Sequence, residues 1–143
     1  MAANDWRTGT YAIDPQGRGN FNNQQEGLKG QEFTIIRYFD AATVGMTAAD
    51  TFKICTIGAG VMVNGVWVVI ATAEGATATI DIGDTASATG YSNDLDINAT
   101  ANTVTAATTQ VKYYSAADYL VLLVNNTLDA AKFYVVVRCT RLV

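Results

Sequence analysis

The sequence of 143 residues contains no histidine. This absence removes the commonest general base, the commonest metal ligand and every catalytic system in which histidine activates a serine or a cysteine. The sequence also lacks a P-loop, a dinucleotide-binding fingerprint and a set of zinc ligands at the usual spacing. We therefore expect no enzyme activity and no cofactor, and we predict that the chain acts by binding other protein surfaces.

Charged residues are scarce as well, at 15% of the chain, where about 25% is typical of soluble proteins. Low charge is consistent with a surface that lies largely against something else, although Thr, Ser, Asn and Gln also supply polarity. The nine Lys and Arg form no cluster and the net charge is −4. Nucleic-acid binding depends on a basic face, so we expect no nucleic-acid partner.

The sequence has only two cysteines, Cys55 and Cys139, and both lie in strand-like runs. This placement predicts buried free thiols rather than a disulfide framework. The longest apolar run, residues 66–71, is too short to span a bilayer, which needs about 20 residues. No basic segment followed by an apolar stretch marks a signal peptide, so we expect neither export by a cleaved leader nor a membrane partner.

Residues 1–30 differ from the remainder of the chain and predict an extended N-terminal arm. This segment is rich in Gly, Asn and Gln, holds the single proline and spaces its apolar residues too widely for a helix or strand face. Aromatic side chains dominate contact energies, so we expect the arm to be anchored by packing on its own domain or on a neighbouring subunit. The predicted partner-binding residues are Trp6, Tyr11, Ile13 and Phe21.

Residues 31–143 predict an all-β domain, because short runs rich in Val, Ile, Thr, Tyr and Phe alternate with turn residues and no long helical period is present. We expect an antiparallel β-sandwich, jelly-roll-like, with an immunoglobulin-like sandwich as the alternative. Asn64-Gly65 predicts a two-residue hairpin, and residues 83–110 predict a long polar loop. The predicted strands are 32–40, 51–57, 61–63, 66–72, 76–82, 110–114, 119–125 and 132–142.

Four aspartates, Asp81, Asp84, Asp94 and Asp96, are the only candidates for a metal site that we consider, as weak calcium ligands. The alternative, which we favour, is that Asp84 and Asp94 make turns with their own backbone and that Asp81 faces solvent. We therefore predict no metal centre and no catalytic residue.

One part of the sequence resembles known proteins. Residues 73–84 read AEGATATIDIGD and are followed by Gly90-Tyr91, Asp94-Leu95-Asp96 and Asn98-Ala99-Thr100. This pattern resembles small virion structural proteins of tailed bacteriophages. The arm and the Ala/Thr/Gly-rich composition are similar to those of capsid decoration, or cement, proteins.

The resemblance implies a small β-sandwich that binds the outer capsid shell across neighbouring subunits and stabilises it. It also implies a homo-oligomer, with a trimer favoured, that binds the major capsid protein or other virion proteins. The expected location is the virion, assembled in the host cytoplasm.

Other functions remain open on the sequence. A tail, fibre or receptor-binding component would use Trp67, Tyr91 or the loop at residues 83–110 against a host surface. A carbohydrate-binding module or a calcium-dependent adhesin is a further alternative, and a hydrolase with paired carboxylates is the least favoured.

Overall fold

The computed structural model describes residues 30–99, 101–108 and 111–143. Within these residues the chain is almost entirely β-structure, with one four-residue helix, α1 (Ala41–Val44). The strands are β1 (Glu32–Asp40), β2 (Thr51–Ile57), β3 (Val61–Thr72), β4 (Thr79–Asp84), β5 (Ser92–Asp96), β6 (Thr103–Thr108), β7 (Lys112–Tyr114), β8 (Asp118–Val124) and β9 (Lys132–Arg141).

The strands form two antiparallel sheets that pack as a sandwich, which confirms the predicted fold class. One sheet has the order β1-β9-β3-β6, with β7 also paired to β3, and the other has the order β2-β8-β4-β5. Neighbours in each sheet are mostly distant in sequence, so most pairings depend on long-range contacts rather than on hairpins.

The core lies between the sheets, and on β9 and the second half of β3 it follows from alternation along the strand. On β9, Phe133, Val135 and Val137 are fully buried, and on β3 the residues Val66, Val68 and Ile70 are fully buried. Phe133 stacks on Phe39 of β1 with ring centroids 5.4 Å apart. Burying side chains of this size contributes about 1.5–3 kcal/mol each, which makes this interior the main stabilising term of the fold.

The predicted hairpin at Asn64-Gly65 is wrong, because β3 passes through both residues without turning. The first part of β3 pairs with β7 and the second part with β6, and the inward positions shift from Val61 and Val63 to Val66. The ring of Trp67 folds over Gly65, where a Cβ would lie 2.8 Å from it. Asn64-Gly65 therefore does not reverse the chain. It lies where β3 changes its pairing partner from β7 to β6 and where the alternation of inward and outward side chains shifts by one residue.

The predicted loop at residues 83–110 is also wrong in part, because it contains β5 and β6. Both strands lie at the edge of their sheets. On β5 only Leu95 is buried, while Asn93, Asp94 and Asp96 are exposed. Edge strands bury little and commonly carry polar residues, which explains why the apolar pattern did not identify them.

Gly83 of β4 is required by the loop that follows the strand. The backbone of residues 85–90 returns over the sheet, where the Ser87 carbonyl accepts hydrogen bonds from the N–H groups of Asp84 and Gly90. A Cβ on Gly83 would lie 1.9 Å from the Ser87 carbonyl oxygen and 2.4 Å from the Ala88 carbonyl carbon. Only glycine allows this approach, because both obstacles are backbone.

The described chain divides into two compact units. One comprises Phe33–Cys139 and holds the sandwich core. In the other, the described residues are 30–32 and Thr140–Val143, where the Gly30 N–H donates to the Arg141 carbonyl and the Arg141 N–H donates to the Gln31 carbonyl. Apart from Gly30, the predicted arm lies outside the described residues. None of the helical structure in the described ranges is long and apolar enough to cross a membrane.

Gly83→Ala is expected to destabilise the protein by about 1–3 kcal/mol or more, because the added methyl group must displace loop backbone. Chemical denaturation followed by tryptophan fluorescence measures the change. Gly58→Ala is the matched control, since a Cβ there meets only Val61, at 3.9 Å, and the change should stay within about 0.5 kcal/mol. Equal effects of the two substitutions would contradict this account of the β4 loop.

Candidate interaction surface

The outward side of the five-stranded sheet carries apolar side chains where antiparallel sheets usually present polar ones to water. On β9, the outward residues Tyr134 and Arg138 are exposed and Val136 is half-buried. On β1, Ile36 and Tyr38 are exposed, and the Tyr38 ring lies 4.9 Å from the ring of Tyr134. The two strands therefore share one continuous apolar surface.

The surface extends across the rest of the sheet. Directly opposite residues of an antiparallel pair lie on the same face. In the observed register Tyr113 of β7 pairs with Met62 of β3, and Val104 of β6 pairs with Val69. The guanidinium of Arg138 lies 5.8 Å from the centre of the Trp67 ring, which joins β9 to β3.

We call this surface the outer apolar face. It consists of Ile36, Tyr38, Met62, Trp67, Val69, Val104, Tyr113, Tyr134, Val136 and Arg138. Ile36 and Val104 are 62% and 64% exposed, which is high for side chains of this kind. Contiguous apolar patches on soluble proteins mark interaction sites, whereas isolated exposed apolar residues do not.

The outward side of the four-stranded sheet is polar by comparison. Its exposed residues include Thr51, Lys53 and Thr56 on β2 and Asp94 and Asp96 on β5. The one large exposed apolar side chain that its strands carry within the described residues is Tyr119 on β8, where the Lys53 ammonium lies 5.0 Å from the ring centre. The two faces of the sandwich thus differ sharply in the surface they offer to a partner.

Asp84 stands at one end of the sandwich in a chain of polar groups that joins the sheets. It belongs to β4 and is 3% exposed, and its Oδ2 accepts hydrogen bonds from Lys112 and, at 2.7 Å, from the Tyr114 hydroxyl of β7. The Tyr114 hydroxyl also contacts the Tyr91 hydroxyl at 2.8 Å. Asp84 Oδ1 accepts from the N–H groups of Ala86 and Ser87, as in the expected turn.

The titration of this cluster follows from its contacts. Burial by itself raises the pKa of the Asp84 carboxyl, but the hydrogen bonds from Lys112 and Tyr114, followed by those of two backbone N–H groups, outweigh it and hold the pKa below its usual value. Burial raises the pKa of Tyr91 to about 12. Burial also raises the pKa of Tyr114, and its hydrogen bonds with the Tyr91 hydroxyl and the Asp84 carboxylate raise it further. Both phenols are therefore neutral donors beside a charged carboxylate.

Asp81 of β4 and Asp94 of β5 form a separate polar cluster within the four-stranded sheet. Asp81 Oδ1 accepts from the Asp94 N–H at 2.7 Å and from Asn125 Nδ2 at 2.8 Å. The expectation that Asp81 faces solvent is wrong, because it is 5% exposed. The two donors hold the Asp81 carboxylate in the interior. The backbone of Asp94, which supplies one of them, has a left-handed conformation at φ 59°.

The four aspartates do not converge on one point. Asp96 Oδ1 accepts from the Asn98 N–H two residues later, as in an Asx turn. Across residues 30–99, 101–108 and 111–143, no group of three or more acidic, cysteine or histidine side chains is placed to hold a metal ion. The observed roles of these carboxylates are hydrogen bonds that organise turns and join strands.

Two residues proposed for a host-binding surface have different positions. Tyr91 is buried, at 4% exposure, because its hydroxyl belongs to the cross-sheet chain. It is therefore not available to a host surface, and that prediction is wrong. Trp67 is half-buried on the outer apolar face. Trp6, Tyr11, Ile13 and Phe21, predicted to bind a partner, lie outside the described residues.

The outer apolar face was missed on the sequence, although a signal for it was present. Residues 133–137 read FYVVV, so both the inward and the outward positions of β9 are apolar. The same holds for residues 66–70, VWVVI, on β3. In an antiparallel sheet such runs indicate that the outer side is covered as well as the inner one.

The cysteines are free thiols, Cys139 buried and Cys55 half-buried. Burial raises the pKa of Cys139 to about 11 and that of Cys55 to about 12, with a further contribution to Cys55 from the Cys139 charge. They are unreactive core thiols at neutral pH.

Comparison with known proteins identifies the fold. No protein-family model matches the sequence, and no curated protein matches it. A chain of the acid-stable capsid structure of Helicobacter pylori bacteriophage KHP30 matches with a TM-score of 0.60 and 14% identity, over 76% of this chain and 86% of that chain. A chain of the cyanophage Pam1 capsid asymmetric unit matches with a TM-score of 0.59 and 21% identity, over 89% and 95%.

At these identities the likeness establishes a shared fold. The predicted resemblance to phage virion structural proteins is thereby confirmed for the architecture, since both neighbours belong to phage capsids and are matched over most of their length.

Asp84→Asn is expected to cost about 1–3 kcal/mol at pH 7, because Lys112 and Tyr114 lose a charged acceptor inside the protein. The lowered pKa means that the carboxylate stabilises the native state above its unfolded pKa of about 3.9 and loses this contribution as the pH falls through the folded value. The variant should therefore lose less stability than the wild type between neutral and strongly acidic pH.

Urea denaturation at a series of pH values measures this difference. Asp129→Asn serves as the control, because it removes a carboxylate from an exposed position of the same protein. If the free energy of unfolding of Asp84→Asn fell with acidification as steeply as that of the wild type, the role assigned to this carboxylate would be contradicted.

Proposed function

We propose that this chain is a phage virion structural protein, and specifically a capsid decoration or cement protein that binds the outer shell and stabilises it through protein–protein contacts. The observation that carries the proposal is the fold of the domain, which matches chains of two phage capsids over most of their length. Such a protein needs surface complementarity and a stable body, and its role is not enzymatic. The location proposed for it is the virion, after assembly in the host cytoplasm.

The strand order supports a jelly-roll description of the domain. Strands of the order β1-β9-β3-β6 face strands of the order β2-β8-β4-β5, so the chain crosses repeatedly between sheets. A jelly roll is a double sheet of eight strands built from two Greek-key motifs. In this chain a ninth strand, β7, pairs with β3 beside them.

The partners proposed are the major capsid protein and other copies of this chain, in a homo-oligomer for which a trimer is favoured. Multivalent attachment raises avidity because each later contact becomes effectively intramolecular. In this proposal residues 1–30 are an arm that extends the footprint beyond the sandwich, which occupies residues 31–143. Trp6, Tyr11, Ile13 and Phe21 are its proposed anchors.

The full chain should bind shells assembled from the major capsid protein of the same phage. We expect it to pellet with the shells at a fixed ratio and to raise the temperature at which they break open. Co-sedimentation and light scattering of heated shells measure the two effects, and shells already saturated with unlabelled chain provide the control. A chain that stays in the supernatant at micromolar concentrations would refute the decoration role.

Replacement of an aromatic anchor by alanine in the full chain, in Trp6→Ala, Tyr11→Ala or Phe21→Ala, should weaken shell binding about tenfold or more. Truncation of a buried interface aromatic commonly costs at least 1–2 kcal/mol, and about 1.4 kcal/mol is tenfold in affinity. Titration by co-sedimentation gives the affinity and thermal melting checks that the body stays folded. Gln16→Ala is the control within the same segment, and unchanged affinity in all three aromatic variants would contradict the anchor role.

A further inference from the structure

We propose that the outer apolar face is the surface through which copies of this chain associate with one another. This assignment deepens the homo-oligomeric state of the proposed function, since it names the surface responsible and does not depend on binding to a shell. It rests on the composition of the face, its extent and its charge.

The face has the composition of a permanent interface. Its members are aliphatic or aromatic, with Arg138 as the one charged residue among them. Aromatic residues, Met and Arg are the types enriched at interface cores, while Lys, Glu and Asp are depleted there. Interfaces between identical subunits are also more apolar than those of transient complexes.

The extent of the face suits one stable contact. The face covers four strand positions at a spacing of about 4.8 Å and, from Met62 to Val69, eight residues at a rise of about 3.3 Å, which gives roughly 500 Å². A standard interface buries about 800 Å² on each partner, so the face supplies more than half of the area that a stable association needs. Half-covered residues such as Trp67 would be sealed by the same contact.

A second copy explains the exposed residues better than the shell does. A chain that folds free and meets its shell later must stay soluble meanwhile, and an open patch of this kind promotes unspecific association. Ile36 and Val104, each more than 60% exposed, belong to β1 and β6, the strands at the two edges of the sheet. A partner available from synthesis onward is another copy of the same chain.

Charge distribution points the same way. The chain carries a net charge of −4, so copies repel one another unless their contact keeps carboxylates apart. No member of the outer apolar face is acidic, and the carboxylates of β1, Glu32 and Asp40, stand at the two ends of the strand, where Asp40 pairs with Lys132. The exposed Asp94 and Asp96 belong to β5 in the other sheet, so they remain in solvent when copies meet through this face.

The test introduces charge at the most exposed members of the face in the full chain. Sedimentation velocity over a hundredfold range of concentration should show the wild type as an oligomer. Ile36→Glu and Val104→Glu should each raise the dissociation constant at least about 100-fold, because a carboxylate buried in an apolar interface without a partner costs several kcal/mol. Both sites are largely in solvent in the isolated domain, so melting temperatures of the separated subunits should change little.

Thr56→Glu is the matched control, since it adds the same charge at an exposed position of the other sheet and should leave association unchanged. Ile36→Ser, which removes apolar area without charge, should weaken association to a smaller degree and covers the case in which Ile36→Glu does not fold. A wild type that is monomeric throughout, an oligomer that survives both glutamates, or equal dissociation by Thr56→Glu would overturn the proposal.

Shell binding by the same variants separates the two proposals. Copies that associate through this face but do not pellet with shells would leave the interface standing and refute the decoration role. A monomeric wild type that pellets with shells, and loses this on Ile36→Glu, would assign the face to the shell and overturn association between copies.

Discussion

A carboxylate between two sheets must be neutralised by donors from both, and the placement of Asp84 sets much of the local structure. A buried carboxylate without partners costs several kcal/mol, so Asp84 requires donors close to it. Lys112 and Tyr114 of β7 donate to one of its oxygens, and the backbone N–H groups of residues 86–87 donate to the other. To present that backbone the loop has to return over the sheet, and Gly83 leaves the room for it. The three requirements fix where β4 ends and where β7 joins the other sheet.

The same strands that build the core also determine which outer face is apolar. On β9 and β3 the apolar residues occupy both inward and outward positions, whereas β2 and β5 place Thr, Lys and Asp outward. The five-stranded sheet therefore behaves as a layer with two apolar sides, one of which lies against the core and the other in solvent. The sandwich thus has one apolar outer face and one polar outer face.

The sequence was sufficient for the fold class because long strands with a buried side repeat the same alternation many times. It failed where a local signal competed with a distant one. Asn64-Gly65 is the best short hairpin pattern known, but the gain from pairing β3 with both β6 and β7 outweighs a turn there. Similarly, β5 buries only Leu95 and is a strand because β4 offers it backbone partners, which no local pattern reveals.

The sites show the same division. Asp84 was identifiable as a turn-forming residue, because its contacts with Ala86 and Ser87 are local, but its bonds to Lys112 and Tyr114 span 28 and 30 residues. Tyr91 is one of the residues that the host-binding alternative would use, but its hydroxyl meets that of Tyr114 across the sandwich, a partner 23 residues away in the sequence. A polar side chain in or beside a strand can therefore be buried when an element distant in the sequence supplies its hydrogen-bond partner. The apolar outward residues of β1 and β9 are the converse case, because no element among the described residues covers them, and in our proposal a second copy of the chain does so.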